Sequence, residues 1–319
     1  MLNDFDKLVV YLDVATLKYM FMSYTKTRDY PVMKKLFSML QEGYKNNTIV
    51  TPITFNHLMP YIDENTIDTE YLAMMANIGQ IQFHRRFTVR TLQLIRIINY
   101  FFEKKYSKPQ WRDIFSANPE DKYIAGFNQY RSISIQNVLK SYEREKNASR
   151  IFYFIENYKK GKAFDDIAGE YFQYIWEEFP DLITPFLPQQ GSAEYNMNIF
   201  LEFDEISEIP EYHIMSNLLT HLIETYGIEE IEAGSKDELL LAAETTAAYM
   251  PYCHFYVTEV EIAEIVNMYG INESYDVKVY DHNESSLYQL IEELTFYIET
   301  LEAERKLKAN KSIFKKRKY

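Results

Sequence analysis

The stretch Leu8-Val9-Val10-Tyr11-Leu12-Asp13 decides how the rest of the chain is interpreted. Its apolar run is short and contains two adjacent valines, which is typical of a strand that is buried on both faces of a sheet. The acid comes directly after this predicted strand. In an open parallel sheet, ligands bind beyond the carboxyl ends of the strands. The stretch therefore predicts a parallel sheet and an acidic side chain at its binding edge.

Strand-like and helical segments alternate at both ends of the chain. Short β-branched or aromatic runs predict further strands at 48–51, 81–83, 255–257 and 277–280. We expect Pro52 to stop the second strand. Apolar residues at helical spacing predict helices at about 14–24, 31–45, 53–61, 67–78, 236–250, 261–268 and 287–301. This alternation indicates the α/β class, with a parallel sheet that has helices on both faces.

The middle of the chain differs from both ends, because its apolar spacing is helical throughout. Neither end has enough strands to form a covered parallel sheet of its own. We therefore predict one α/β domain that is made from both ends and interrupted by a large all-helical insertion. The predicted parts are 1–85 and 205–304 for the domain, 86–204 for the insertion and 305–319 for a basic C-terminal tail.

Composition excludes several classes of protein. A single cysteine, Cys253, excludes an internal disulfide and a thiolate zinc cluster, and it indicates a reducing, cytoplasmic location. No stretch approaches the ~18 apolar residues of a membrane span, so we expect no membrane partner. The formal charge of −13 repels nucleic acid. The charge is uneven, because 305–319 holds eight basic residues and no acid, which leaves −21 on the remainder.

Three acids are candidates for a metal site at the binding edge. Asp13 follows the first strand, Asp237 begins the 236–250 helix, and Glu259 follows the 255–257 strand. Acids that converge in space can hold Mg²⁺ or Mn²⁺, which prefer oxygen ligands. Each acid also has a structural alternative, since Asp13 could cap the next helix and the other two could complement a helix dipole. Capping-box spacing from Ser235 and Thr258 assigns such structural roles to Glu238 and Glu261.

The same residues carry a resemblance to a known family. Residues 8–13 resemble the opening strand and first acid of PIN-like nuclease domains. The stretch 237–243, Asp-Glu-Leu-Leu-Leu-Ala-Ala, resembles that family's late acid and alanine-rich helix. Residues 250–259, which end in Thr258-Glu259, resemble its strand with a terminal threonine–acid pair. The resemblance covers about 1–85 and 205–285 and leaves the helical middle unexplained.

The resemblance implies a PIN-like α/β/α domain that cleaves RNA with metal-activated water. The catalytic acids that hold Mg²⁺ or Mn²⁺ would be Asp13, Asp237 and Glu259. The residues that would line the site are His57, Glu238, His254 and Thr258. His57 stands about where the family usually has a Glu, and His254 stands where some relatives have an Asp. Each change removes a negative charge that hard cations favour.

These departures leave two other functions open. One is a catalytically inactive PIN-like scaffold that binds RNA or, through the helical insertion, a protein partner. The other is an unrelated helical interaction protein, which is favoured if Asp13 and Asp237 lie far apart.

Overall fold

The computed structural model describes residues 7–63, 66–84, 86–103, 110–115, 139–140, 151–162, 184–187, 191–201 and 209–316. Its strands are β1 (Leu8–Tyr11), β2 (Ile49–Ile53), β3 (Ile62–Asp63), β4 (Thr66–Ile67), β5 (Gln80–Gln82), β6 (Phe255–Thr258) and β7 (Lys278–Asp281). Its first helices are α1 (Val14–Tyr24), α2 (Pro31–Lys45), α3 (Thr69–Ala76), α4 (Arg86–Glu103), α5 (Trp111–Ile114), α6 (Ile151–Lys159) and α7 (Ala193–Leu201). The remaining helices are α8 (Pro210–Tyr226), α9 (Ile228–Glu232), α10 (Asp237–Tyr249), α11 (Val260–Met268), α12 (Ile271–Tyr275) and α13 (Glu284–Lys316).

Five strands form one parallel sheet in the order β5-β2-β1-β6-β7, and β3 and β4 form a separate antiparallel pair. The first strand lies at the centre, where Val9 pairs with Val50 of β2 and Val10 pairs with Phe255 of β6. Strands from the two ends of the chain therefore share one sheet. The expected mixed α/β class with a parallel sheet and a high helix content is confirmed.

The two faces of the sheet contribute to two hydrophobic cores. Along the first strand, Val10 and Leu12 belong to one core and Val9 and Tyr11 to the other, as the alternation of side chains along a strand requires. Helices α1, α2, α3 and α13 supply apolar residues to the first core. Helices α4, α8, α10 and α11 supply them to the second core. Described residues of the predicted insertion thus pack in the same core as the sheet, while its boundaries stay predictions.

Two local expectations were wrong. Pro52 lies inside β2 and pairs with Ile81 of β5. The Thr51 N–H points towards β5 and donates to Gly79 O, so the missing Pro52 N–H lies on the β1 side, beyond Val9–Val50, the last pair between β1 and β2. The helix expected at 53–61 is instead two 3-10 turns, Phe55–His57 and Met59–Tyr61.

The last helix is longer than its apolar spacing predicted. It continues to Lys316, beyond the apolar stretch that ends near Leu301. The Arg305 guanidinium donates to the backbone oxygens of Asn46 and Asn47 at the end of α2, which ties the helix to the domain. Of the helices in the described ranges, none is both long enough and apolar enough to cross a bilayer.

Truncation of Leu294 tests how much the packing of the last helix contributes to stability. Leu294 is fully buried, whereas Leu307 on the same helix is 56% exposed. We expect Leu294→Ala to lower the free energy of unfolding by about 2–5 kcal/mol, because it leaves a cavity in the core. The matched control Leu307→Ala should change it by about 0.5 kcal/mol or less. Urea unfolding measures both values, and equal losses would contradict the packing described here.

Candidate metal site

Three polar side chains follow the three neighbouring strands at one edge of the sheet. Asp13 lies two residues after β1, Glu259 directly after β6 and His282 directly after β7. Because these strands are parallel, their carboxyl ends meet at the same edge. The chain moves from β1 to β2 and β5 on one side, and from β6 to β7 on the other. The strand order therefore reverses between β1 and β6, and such a reversal opens a ligand-binding crevice.

The two carboxylate oxygens of Asp13 have different partners, one in the backbone and one in the candidate site. Its Oδ1 accepts a hydrogen bond of 2.8 Å from the backbone N–H of Thr16, so it caps α1. Its other oxygen, Oδ2, lies 3.3 Å from Nδ1 of His282. The two possibilities raised by the sequence, a cap and a site residue, are therefore compatible in one carboxylate.

Local backbone structure also directs the other two side chains. Glu259 is the N-cap residue of α11, yet its carboxylate makes no cap hydrogen bond and stays available to the crevice. His282 lies in the turn between β7 and α13. The Asp281 carboxylate accepts a 2.7 Å bond from the Asn283 N–H, and the Asp281 N–H donates to the Ser286 hydroxyl. These bonds fix the turn that carries the imidazole.

The three side chains form a compact group. One potential ligand atom from each of Asp13, Glu259 and His282 lies within 4.8 Å of the others. Nδ1 of His282 is 3.3 Å from the Asp13 carboxylate and 3.8 Å from the Glu259 carboxylate. The exposed fraction rises from 10% for the Asp13 side chain to 20% for His282 and 40% for Glu259. The group is thus closed on the Asp13 side and open to solvent at Glu259.

Mutual electrostatics shift the pKa values of two members of this group. The hydrogen bond to Asp13 is the main reason why the pKa of His282 is raised, although burial opposes it. Burial is the main reason why the pKa of Glu259 is raised, and the charge of Asp13 raises it further. The two shifts have different main causes, but the negative charge of Asp13 raises both pKa values, and such a charge favours a bound positive charge.

The structure does not bring Asp237 into this group. Its carboxylate lies back over the preceding turn, 3.7 Å from the position a Cβ would take on Gly234. The charge of Glu238, by contrast, contributes to the raised pKa of Glu259. The capping-box expectation was wrong here, because the Ser235 hydroxyl donates to the backbone oxygen of Glu230 instead of capping α10.

His57 lies beneath the site and does not line it. The side chain is fully buried, and both ring nitrogens are occupied. Nε2 lies 2.9 Å from the backbone oxygen of Leu12, while Nδ1 accepts a bond from the Thr54 N–H at 2.9 Å. Burial lowers its pKa to about 4, so the ring is neutral near pH 7. His57 supports the backbone that precedes Asp13, and the expectation that it replaces a ligand was wrong.

The two other residues expected to line the site differ in their location. His254 precedes β6, so it lies at the amino edge of the sheet, where its Nδ1 accepts a 3.0 Å bond from the Val9 N–H. It is therefore on the opposite edge from Glu259. Thr258 ends β6 next to Glu259, but its buried hydroxyl lies 3.3 Å from that of Thr246 on α10. It joins the strand to the helix and is not free to hold a ligand.

The donor set fits a divalent cation. Two carboxylates supply the negative charge, and the imidazole supplies a nitrogen ligand once it has lost its proton. Mg²⁺ strongly prefers an all-oxygen shell, whereas first-row transition metals accept imidazole. A mixed set from Asp13, Glu259 and His282 therefore fits Mn²⁺ better than Mg²⁺.

Titration of the histidines tests the environments described above. We expect the pKa of His282 to lie above 6.5, because its ring bonds to Asp13. We expect the pKa values of His57 and His254 to lie near 4, because burial disfavours the charged forms of these two rings. An NMR titration of the imidazole C–H signals measures all three values in one protein. In the unfolded chain these histidines bind protons near pH 6.5. Lowering the pH from about 6.5 to about 4 should therefore destabilise the fold, because His57 and His254 can bind their protons only after unfolding. Protonation of His57 near pH 6.5 would contradict its buried position.

Comparison with family models, with curated proteins and with solved structures gave no match for this chain. The resemblance to PIN-like domains therefore stays a prediction. Function is accordingly argued from the residues and geometry of the site itself.

Proposed function

We propose that the protein is a metal-dependent phosphodiesterase that acts on RNA, with its metal at the Asp13–Glu259–His282 group. One observation carries this proposal: two carboxylates and an imidazole converge where the strand order reverses. Mn²⁺, and less favourably Mg²⁺, is the proposed cofactor. The PIN-like identity and the cytoplasmic location belong to the same proposal. Asp237, which the sequence placed among the ligands, is not part of it.

The proposed chemistry divides among the three residues. A bound divalent ion would polarise a phosphoryl oxygen and activate water. The buried Asp13 is fixed by its bond to Thr16, so it holds its charge in one place. The more exposed Glu259 faces solvent, so its carboxylate is the one placed to accept a proton from water. His282 completes the set by placing its ring nitrogen between the two acids.

Helix dipoles support a phosphate at this position. Helices α1, α11 and α13 each begin directly after one of the three residues or within two residues of it. The amino end of a helix carries a partial positive charge and unsatisfied N–H groups, which favour anions. Three such ends around one crevice partly offset the repulsion between a phosphodiester and the two carboxylates.

The contact between His282 and Asp13 favours a second candidate function. A protonated imidazole 3.3 Å from Asp13 supplies the positive charge that a metal would otherwise supply. The charge of Asp13 is then balanced by the protein itself, and the protonated ring nitrogen of His282 cannot bind a metal. In this alternative, the domain is an inactive scaffold that binds RNA or a protein partner.

Metal binding is tested by its effect on thermal stability. Millimolar Mn²⁺ should raise the melting temperature, because it binds only the folded site, and the rise should grow with pH as His282 loses its proton. Asp13→Asn should remove most of this rise, while the asparagine still caps α1. The matched control Asp237→Asn should keep the rise in full. If both variants lose the Mn²⁺-induced rise in melting temperature, Asp237 also belongs to the ligand set. If the wild type shows no such rise, the inactive scaffold is favoured over the metal-dependent enzyme.

Activity is tested with mixed RNA. We expect the wild type to cleave it in Mn²⁺ and not in EDTA, and Glu259→Gln to lower the rate at least about 100-fold, because it removes a ligand charge and a proton acceptor. The control Glu264→Gln changes an exposed acid of α11 outside the group and should leave the rate unchanged. Cleavage that survives EDTA, or that is insensitive to Glu259→Gln, would contradict the proposed site.

A further inference from the structure

A row of aromatic and basic side chains leads away from the candidate site along α1 and the loop to α2. The Tyr19 ring lies 6.5 Å from that of His282, and the Tyr30 ring lies 5.3 Å from that of Tyr19. The guanidinium of Arg28 lies over the Tyr30 ring, 5.4 Å from its centre. We call these residues, together with the exposed Lys26, the α1–α2 strip. Tyr19 and Tyr30 pack partly against the core, and the rest of each side chain reaches solvent.

The backbone folds this loop back along α1, from the carboxyl end of the helix towards Tyr19. After α1 ends at Tyr24, the chain turns back along the helix, and the Arg28 N–H donates to the backbone oxygen of Met22. The Ser23 hydroxyl donates to the backbone oxygen of Tyr30. Both bonds hold the start of α2 against α1. The row from His282 to Arg28 is therefore continuous.

The strip is basic in a chain that is acidic overall. Residues 14–35 contain five basic residues and one acid, whereas the whole chain carries −13. The acid, Asp29, is paired with Lys34 at 2.7 Å. In the described ranges, the other basic residues of this segment, which include Lys26 and Arg28, are exposed and take part in no ion pair. The uncompensated positive charge therefore lies at the end of the aromatic row that begins at His282.

This combination of chemistry recognises a particular ligand. Single-stranded nucleic acids bind to grooves in which basic residues contact phosphates and aromatic rings stack on bases. Bases in a duplex are already stacked on one another, so only an unpaired strand can use such rings. An acidic protein partner could form ion pairs with the basic residues, but its binding would not require the aromatic rings.

We propose that the α1–α2 strip binds single-stranded RNA beside the metal site. Bases would stack on Tyr19 and Tyr30, and Lys26 and Arg28 would contact phosphates. The inference rests on the proposed function, because it names the strand that enters that site. It specifies a substrate that is unpaired next to the scissile bond.

Binding in EDTA tests the strip separately from catalysis. The probe is a fluorescein-labelled single-stranded oligoribonucleotide, and anisotropy measures its affinity for the full chain. We expect Lys26→Gln with Arg28→Gln to weaken binding about tenfold at low salt and to reduce the salt slope by about 1.4, which corresponds to two lost phosphate contacts. The control variant combines Lys45→Gln with Lys160→Gln. Lys45 is exposed at the carboxyl end of α2, and Lys160 is exposed directly after α6. It should bind as the wild type does.

A second pair of variants tests stacking. Tyr30→Leu should weaken binding about tenfold, because it removes a stacking surface, whereas Tyr30→Phe should keep the affinity. Circular dichroism melting confirms that each variant is folded. The same sequence presented as a duplex should bind more weakly than the single strand.

The outcomes separate the strip from the proposed enzyme. Binding that depends on the strip, in a protein that shows no Mn²⁺-dependent cleavage, would support the strip and overturn the phosphodiesterase. Cleavage that is unaffected by all the strip variants, with unchanged affinity and salt slope, would support the enzyme and overturn the strip. Equal affinity of Tyr30→Leu and Tyr30→Phe, or preference for the duplex, would likewise overturn it.

Discussion

The burial of β1 at the centre of the sheet is the constraint on which the rest of the structure depends. Its residues are buried, and both neighbouring strands run parallel to it. Parallel pairing places the ends of β1, β6 and β7 at one edge, although Asp13 and Glu259 are far apart in sequence. The site is thus a consequence of strand direction. A shift of β1 by one residue would exchange its two faces, so the two hydrophobic cores also fix the register of Asp13.

Asp13 links this framework to the chemistry. One oxygen is committed to the first turn of α1, and the other faces His282. Beneath it, the buried His57 occupies the backbone oxygen of Leu12, so the segment that carries the carboxylate is held from below. A neutral His57 is needed for this arrangement, because its Nδ1 accepts a hydrogen bond from the Thr54 N–H. The polar groups below the site therefore position Asp13, while those above it are available to a ligand.

Much of the fold follows from local patterns, because a buried parallel strand has a distinctive apolar run and its helices have regular spacing. Glu259 and Asp13 follow from the rule that ligands bind at strand ends. His282 lies two residues beyond the 277–280 run, with Asp281 between them, so the same rule indicates this turn but does not distinguish the two side chains. The choice between Asp237 and Glu238 was not predictable in this way. It depends on the residue at which α10 begins, because successive residues of a helix differ in direction by about 100°.

The acidity of the chain sets the remaining problem for a phosphodiester ligand. A body with a net charge of −13 repels a polyanion, and two carboxylates at the site repel it most strongly at the point where it must come closest. The helix amino ends act within about one turn, so they cannot attract a strand from a distance. A cation between the carboxylates removes the local repulsion, and exposed charges such as Arg28 act over roughly the 8–10 Å that salt screening allows. These contributions act at different ranges. If RNA is the ligand, as proposed, a cation would act on the phosphate in the crevice, and the basic residues of the α1–α2 strip would act on the strand that leads away from it.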